Sequence, residues 1–125
     1  MQVKATLASD GLKESSWREV LLWLLRFRKR FRVTGTSMAP LLQPGDEILV
    51  DPRAYKHVAP HVDDIVVSRH PYQADVRLVK RITAILEDGC CLLTGDNPSD
   101  STDSRSFGAV APQQILGRVI SRFPR

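Results

Sequence analysis

The first quarter of the chain has the apolar spacing of an amphipathic helix. After a polar tail over residues 1–13, apolar side chains recur at intervals that place them along one helical face. They are Trp17, Val20, Leu21, Leu24 and Phe31. Ser15 or Ser16 is a suitable N-cap before them, and basic residues crowd the far end, where the helix dipole favours cations. The pattern predicts one helix that ends near residue 32.

From Val33 onward the chain changes to short runs rich in β-branched and apolar residues, separated by turn residues. The runs are Glu47–Val50, Asp64–Ser68, Val76–Ile82, Cys91–Thr94 and Ile115–Ser121. This pattern predicts a mainly β fold, a compact barrel or sandwich, with one N-terminal helix. We therefore divide the chain into a tail and basic helix over residues 1–32 and one β domain over residues 33–125.

Length and composition set limits on the class of protein. The 125 residues suffice for one domain, and 42% hydrophobic with 26% charged residues is an ordinary globular balance. The longest apolar run, Val20–Leu25, is far shorter than the roughly 20 residues that span a bilayer. The sequence therefore predicts neither a membrane-spanning helix nor a secretory leader.

The positive charge of the chain lies almost entirely at its start. Residues 1–32 hold eight Lys or Arg and three Asp or Glu, a net charge of +5, whereas residues 33–125 have a net charge of −1. A nucleic-acid-binding domain would carry its basic residues along the folded face, so the sequence predicts no nucleic-acid partner. The basic stretch over residues 15–32 either packs on the core or contacts an anionic membrane or a partner protein.

The cysteines and histidines predict no metal site and no cofactor. Cys90 and Cys91 are adjacent, a spacing that disfavours a disulfide, so we expect two reduced thiols in a strand and a cytoplasmic location. His57 and His61 have a metal-ligand spacing, but a proline separates them and no further ligands complete a site. We expect these two and His70 to be surface histidines.

A lysine in one predicted strand has an unusual position. Alternation along the strand places Leu78, Lys80 and Ile82 on one face. Burial among apolar neighbours lowers the pKa of a lysine, and a neutral amine near pH 7 is a general base. The alternative is a lysine whose stem packs while its ammonium reaches water.

Two loops are richer in small polar residues than turns require. Ser37 lies in the first, Thr34–Pro40, where a serine is exposed on a tight turn or is simply a turn residue. The second, Gly95–Gly108, alternates Ser and Asp before an arginine. It is either a solvated surface loop or a buried hydrogen-bond network.

Taken together and in order, these segments resemble the boxes of the type-I signal peptidase family of serine–lysine proteases. Ser37–Pro40 with Gly45-Asp46 resembles the nucleophile box, Asp64–Val67 the strand box, Val79–Ile82 the general-base box and Gly95–Gly108 the closing box. The resemblance covers residues 33–122. It implies the compact β-fold shared by signal peptidases and self-cleaving repressors, and a serine endopeptidase that needs no cofactor.

The resemblance also implies a role for individual residues. Ser37 is the expected nucleophile, and Lys80 is its general base. Ser101 is expected to orient Lys80, Asp103 and Arg105 to brace the loop, and Thr36 and Met38 to contact substrate or oxyanion, with the backbone N–H of Ser37 as an oxyanion donor. Position 35 is glycine where some members carry a second hydroxyl donor, so Thr34 or Thr36 is the substitute.

Within the family, Asp51–Tyr55 and Ile115–Val119 resemble the compact peptidases that mature nickel-type superoxide dismutase. The expected substrate is therefore a protein precursor, the superoxide dismutase proprotein, from which an N-terminal leader is removed. We expect a cytoplasmic enzyme with peripheral membrane contact through residues 15–32. There are two alternatives. One is a general signal-peptidase-like processing protease, and the other is a non-catalytic membrane-surface or partner-binding module with vestigial boxes.

Overall fold

The computed structural model describes Leu21, residues 27–100 and residues 102–125, without the side chain of Asp100. Most of the predicted helix, and Ser101, therefore lie outside the described residues. Leu21 has helical backbone and is 56% exposed.

The described residues form a mainly β fold, as predicted. Its strands are β1 (Lys29–Arg32), β2 (Glu47–Asp51), β3 (Ile65–Arg69), β4 (Arg77–Ile85), β5 (Cys91–Thr94) and β6 (Ile115–Arg122). A short helix, α1 (Ser104–Phe107), and 3-10 turns at Pro98–Asp100 and Pro112–Gln114 complete the elements. All six strands pair antiparallel in one sheet, in the order β1-β2-β6-β3-β4-β5. Strands β2 to β6 begin and end within a few residues of the predicted runs.

The predicted helix was wrong at its C-terminal end, because Lys29–Arg32 is the edge strand β1. Phe31 packs against the apolar core, while Arg30 and Arg32 both form ion pairs with Glu47 of the neighbouring strand. Favourable placement of cations at a helix end is worth about 1 kcal/mol at most, less than strand pairing together with core contact offers here. The boundary predicted after residue 32 thus leaves β1 on the wrong side, since it belongs to the sheet.

The core consists of two buried clusters, and β3 contributes to both. Val67 packs with Val33, Met38, Leu42, Ile48 and Val50, whereas Val66 packs with Ile82, Cys91, Leu93 and Val110. Successive strand residues point to opposite faces, so both faces of β3 are covered. This explains why β3 begins with three consecutive apolar residues, Ile65–Val67, and does not alternate there.

A close approach between β2 and β6 requires a glycine. A Cβ atom added to Gly117 would lie 2.6 Å from the carbonyl oxygen of Asp51 and 2.7 Å from Cγ1 of Val50. Neither contact is tolerated by a real side chain. The sheet can therefore close at this point only because position 117 has no side chain.

Candidate active site

Ser37 lies in a turn that is fixed to the segment following β5. The backbone N–H of Asn97 donates to the carbonyl of Ser37 at 2.8 Å, and its side-chain amide donates to the carbonyl of Thr36 at 3.0 Å. Within the turn, the N–H of Ala39 donates to the carbonyl of Thr36. Gly35 enters the turn with φ +78°, a conformation that favours glycine. The serine is therefore held by both local and long-range hydrogen bonds.

Lys80 is buried in the middle of β4, with only 3% of its surface exposed. Its partner across the ladder is Val66, and Ile82 follows on the same face; both are fully buried. The structure thus has the apolar face that alternation predicted, and the side chain does not reach open solvent. Burial of this kind disfavours the charged form of an amine.

Ser37 and Lys80 line the same cleft, which has a volume of about 300 Å³. The cleft walls come from β1, β3, β4 and the Ser37 turn and present polar and apolar surface in about equal parts, with Phe31, Val33, Met38, Val67, Val76, Leu78 and Val79 as the apolar lining residues. Met38 is 1% exposed, so its side chain forms part of the cleft floor and of the core at once. Thr36 is half-buried beside Ser37. Residues 43 positions apart in sequence are thereby brought to one surface.

Asp103 is a fully buried carboxylate that organises the last loop. Its Oδ2 accepts from the N–H of Gly95 at 2.9 Å and from Nη2 of Arg105 at 2.7 Å. Its Oδ1 accepts from the backbone N–H and from Nε of Arg105, both at 3.0 Å, so Asp103 also caps α1. The predicted Asp103–Arg105 pair is therefore present. Through its hydrogen bond from Gly95, Asp103 also contacts the segment whose Asn97 holds the Ser37 turn.

Two residues near the site, Asn97 and Arg81, make contacts that the sequence did not predict. Asn97 was part of a recognised box, but its bonds to the Ser37 turn span some 60 positions and leave no local signal. Arg81 donates two hydrogen bonds of 2.9 Å to Asp96 at the entry to the same segment. The only local signal for the Arg81–Asp96 ion pair was that two of the boxes carry residues of opposite charge.

Asp46 closes the other side of the Ser37 loop. Its side-chain oxygens accept from Nε and Nη2 of Arg125 and from the backbone N–H of Gln43. The hydrogen bonds from Arg125, assisted by that from Gln43, lower the pKa of Asp46 to about 2. The end of the described chain is thus tied to the residue that follows the Ser37 loop.

The histidines and cysteines lie apart from this cleft. His57 and His61 are exposed, as predicted, but the prediction was wrong for His70, which is 9% exposed. His70 packs on the ring of Phe107, and its Nδ1 accepts from a backbone N–H. Both thiols are free, but the strand starts at Cys91, which leaves Cys90 just before it. Burial raises the pKa of both thiols.

Two features are absent from the described residues, a metal-ligand cluster and a membrane-spanning helix. No three His, Cys, Asp or Glu side chains in this part of the chain converge as metal ligands would. Among the same residues, no helix has the length and apolar character needed to cross a membrane.

Comparison with known proteins agrees with the geometry. The family described as signal peptidase, peptidase S26, matches residues 19–86 and 84–123. Subunit 1 of the mitochondrial inner membrane protease of Xenopus tropicalis is 31% identical over 108 residues, covering 71% of this chain and 65% of the relative. The probable signal peptidase I-1 of Synechocystis is 28% identical over 150 residues, covering 83% of this chain and 76% of the relative. The chain belongs to the signal peptidase family, peptidase S26.

Proposed function

We propose that this chain is a serine endopeptidase in which Ser37 is the nucleophile and Lys80 the general base. The observation that carries the proposal is the single cleft lined by both residues, with the lysine 3% exposed. A serine hydroxyl is a weak nucleophile until an adjacent base removes its proton. A lysine kept out of water can be that base, because the neutral amine is the form that burial favours.

The reaction then follows from these two groups. The Lys80 amine takes the proton of Ser37 Oγ as the oxygen attacks the scissile carbonyl carbon, and the new ammonium returns a proton to the leaving amine. The backbone N–H of Ser37 is the expected donor to the oxyanion. Water, deprotonated in turn by Lys80, then hydrolyses the acyl-enzyme and frees the serine.

The hydrogen bonds around the cleft hold the Ser37 turn, which supports a positioned nucleophile in the proposed dyad. Asn97 holds the carbonyls of Thr36 and Ser37, and Asp103 holds the N–H of Gly95 two residues earlier. We assign Asn97, Asp103 and Arg105 to positioning, because displacement of a nucleophile by about 1 Å can cost roughly 100-fold in rate. Ser101 keeps its proposed role of orienting Lys80, and Thr36 and Met38 their proposed contacts at the substrate.

The substrate class follows from the cleft and from family membership. The apolar side chains in the cleft wall and a volume of about 300 Å³ suit an extended peptide with small or apolar side chains next to the scissile bond. A protein precursor presents such a segment when its leader is unfolded. We assign the enzyme to precursor processing in general, and specifically to removal of the leader of a nickel-type superoxide dismutase.

The finer assignment rests on two stretches that are neighbours in the sheet. Asp51, at the start of the first stretch, pairs with Arg118 in the second. Residues of both stretches line a separate cavity of about 340 Å³. Both stretches resemble the superoxide dismutase maturation peptidases, and both lie at one surface away from the cleft. A shared docking partner would account for this, which is the support for the proposed substrate. Cytoplasmic location and peripheral membrane contact through residues 15–32 remain part of the proposal.

Co-expression with a nickel superoxide dismutase precursor tests the assignment, with mass spectrometry of the precursor N-terminus as the measurement. We expect a shortened N-terminus with the wild type and an intact leader with Ser37→Ala. A precursor left intact, while other leader peptides are cut in a Ser37-dependent way, would replace this substrate with general processing. Binding of residues 15–32 to vesicles without hydrolysis of any precursor would favour the non-catalytic module instead.

A further inference from the structure

Two arginines stand directly opposite each other at the end of the β3–β4 ladder. Arg69 is the last residue of β3, Arg77 is the first of β4, and the register pairs them. Both are exposed. Like charges opposite each other across a ladder destabilise a sheet, so the fold itself gains nothing from this pair.

The arginine pair continues the wall of the Ser37 cleft. Val67 and Val79 form the preceding ladder pair on the same face, and both line the cleft, as does Arg77 itself. Side chains two residues apart in a strand share a face, which places Arg69 beside Arg77 at the mouth. The apolar wall therefore ends in two guanidinium groups.

The arginine pair has no close acidic partner among the described side chains, Asp75 in the turn before Arg77 included. In residues 27–100 and 102–125, apart from the side chain of Asp100, neither Arg69 nor Arg77 has an acidic group within ion-pair distance. Arg32 also lines the cleft, and its acidic neighbour, Glu47 at 3.5 Å, is shared with Arg30. The cleft rim is therefore positive, although residues 33–125 as a whole carry a net charge of −1.

We infer that Arg69 and Arg77 select substrates that carry an acidic side chain a few residues from the scissile bond. A carboxylate placed between the two guanidiniums would remove their mutual repulsion and form charge-assisted hydrogen bonds. The occupant is an acidic peptide segment, because the apolar wall that continues from the pair leads a polypeptide to Ser37. This inference rests on the proposed function, as it specifies what the same cleft accepts.

The binding test uses Ser37→Ala protein and short synthetic peptides rich in Ala and Val, in which Gln is replaced by Glu at each position in turn. We expect at least one position where the Glu peptide binds about fivefold more tightly than its Gln counterpart, with the preference falling as salt is raised. Adding Arg69→Gln and Arg77→Gln should bring this ratio close to one. Arg122→Gln is the matched control, since Arg122 is exposed at the end of β6 and does not line the cleft, and it should leave the ratio unchanged.

Three results would overturn the inference. The first is equal binding of Glu and Gln peptides at every position, and the second is a preference that survives loss of both arginines. The third is an effect of the arginines on sedimentation with phosphatidylglycerol vesicles alone, which would make the pair a lipid contact.

A separate measurement tests the proposed Ser37 and Lys80 dyad. Cleavage of the Gln peptides by wild-type protein, and its loss in Ser37→Ala, reports on the dyad without involving the arginines. If no peptide is cut but the Glu preference depends on Arg69 and Arg77, the dyad proposal fails and this inference stands. If peptides are cut without any Glu preference, the reverse holds.

Discussion

Replacing Asp103 with asparagine should destabilise the fold and slow catalysis together. The amide can place its oxygen at the position of only one carboxylate oxygen, and its NH₂ group then faces two donors. If the NH₂ replaces Oδ2, these donors are the N–H of Gly95 and Nη2 of Arg105. The Gly95 N–H is buried and loses its partner, whereas the Arg105 side chain is 51% exposed and can turn to water.

The size of the effect follows from these two losses. An unsatisfied buried donor costs about 1–3 kcal/mol, and loss of a half-exposed ion pair adds at most about 1 kcal/mol. We therefore expect Asp103→Asn to lower the free energy of unfolding by about 1–4 kcal/mol. Because Gly95 leads into the Asn97 segment that holds Ser37, kcat should fall in the folded fraction of the variant as well.

Urea unfolding followed by circular dichroism at neutral pH measures the stability change. Asp88→Asn is the matched control, because Asp88 is exposed and accepts a backbone hydrogen bond only within its own turn. This control should shift the unfolding free energy by no more than about 0.5 kcal/mol. Equal, small effects of the two substitutions would refute the reasoning that the Asp103 carboxylate holds the loop.

Three other predictions follow from separate parts of the fold. Gly117→Ala should lower the unfolding free energy by about 1–3 kcal/mol in urea titration, since its Cβ meets the Asp51 carbonyl; an unchanged value would contradict the close approach. The lowered pKa of Asp46 stabilises the folded state above the ordinary carboxyl pKa of about 4, and this contribution disappears as the pH falls towards 2. Thermal unfolding of wild type should therefore lose more stability over that interval than Asp46→Asn, and parallel curves would contradict this. Deleting residues 1–26, which leaves β1 intact, should raise KM for the precursor more than it lowers kcat; an unchanged KM would remove a docking role of residues 15–26.

The sequence predicted the sheet well because five strands have strong local signals. Cys91–Thr94 was predicted to the residue, and the turns around the other runs limited their ends. The edge strand β1 was missed because Lys29–Arg32 carries three cations and a single apolar residue, a pattern that fits a helix end as well as a strand. Only the contacts of Phe31 and Glu47 decide between them, and those depend on the tertiary fold.

The site was predictable in composition but not in its connections. Alternation predicted that Lys80 shares a face with Leu78 and Ile82, but it left open whether the ammonium is buried or reaches water. The bond from Asn97 to the Ser37 turn and the pairing of Arg69 with Arg77 depend on loop closure and strand register. Neither is recorded in any short stretch of sequence.

Cleavage of a precursor by purified Lys80→Met protein tests the central claim most directly. Methionine keeps the apolar stem in the buried face but cannot accept a proton, so the variant should fold and yet cleave no more than Ser37→Ala does. The double variant should be no worse than either single one, because the two residues act as a unit. Wild-type activity should rise with pH as the lysine loses its proton and then level off. Robust cleavage by folded Lys80→Met protein would contradict the account.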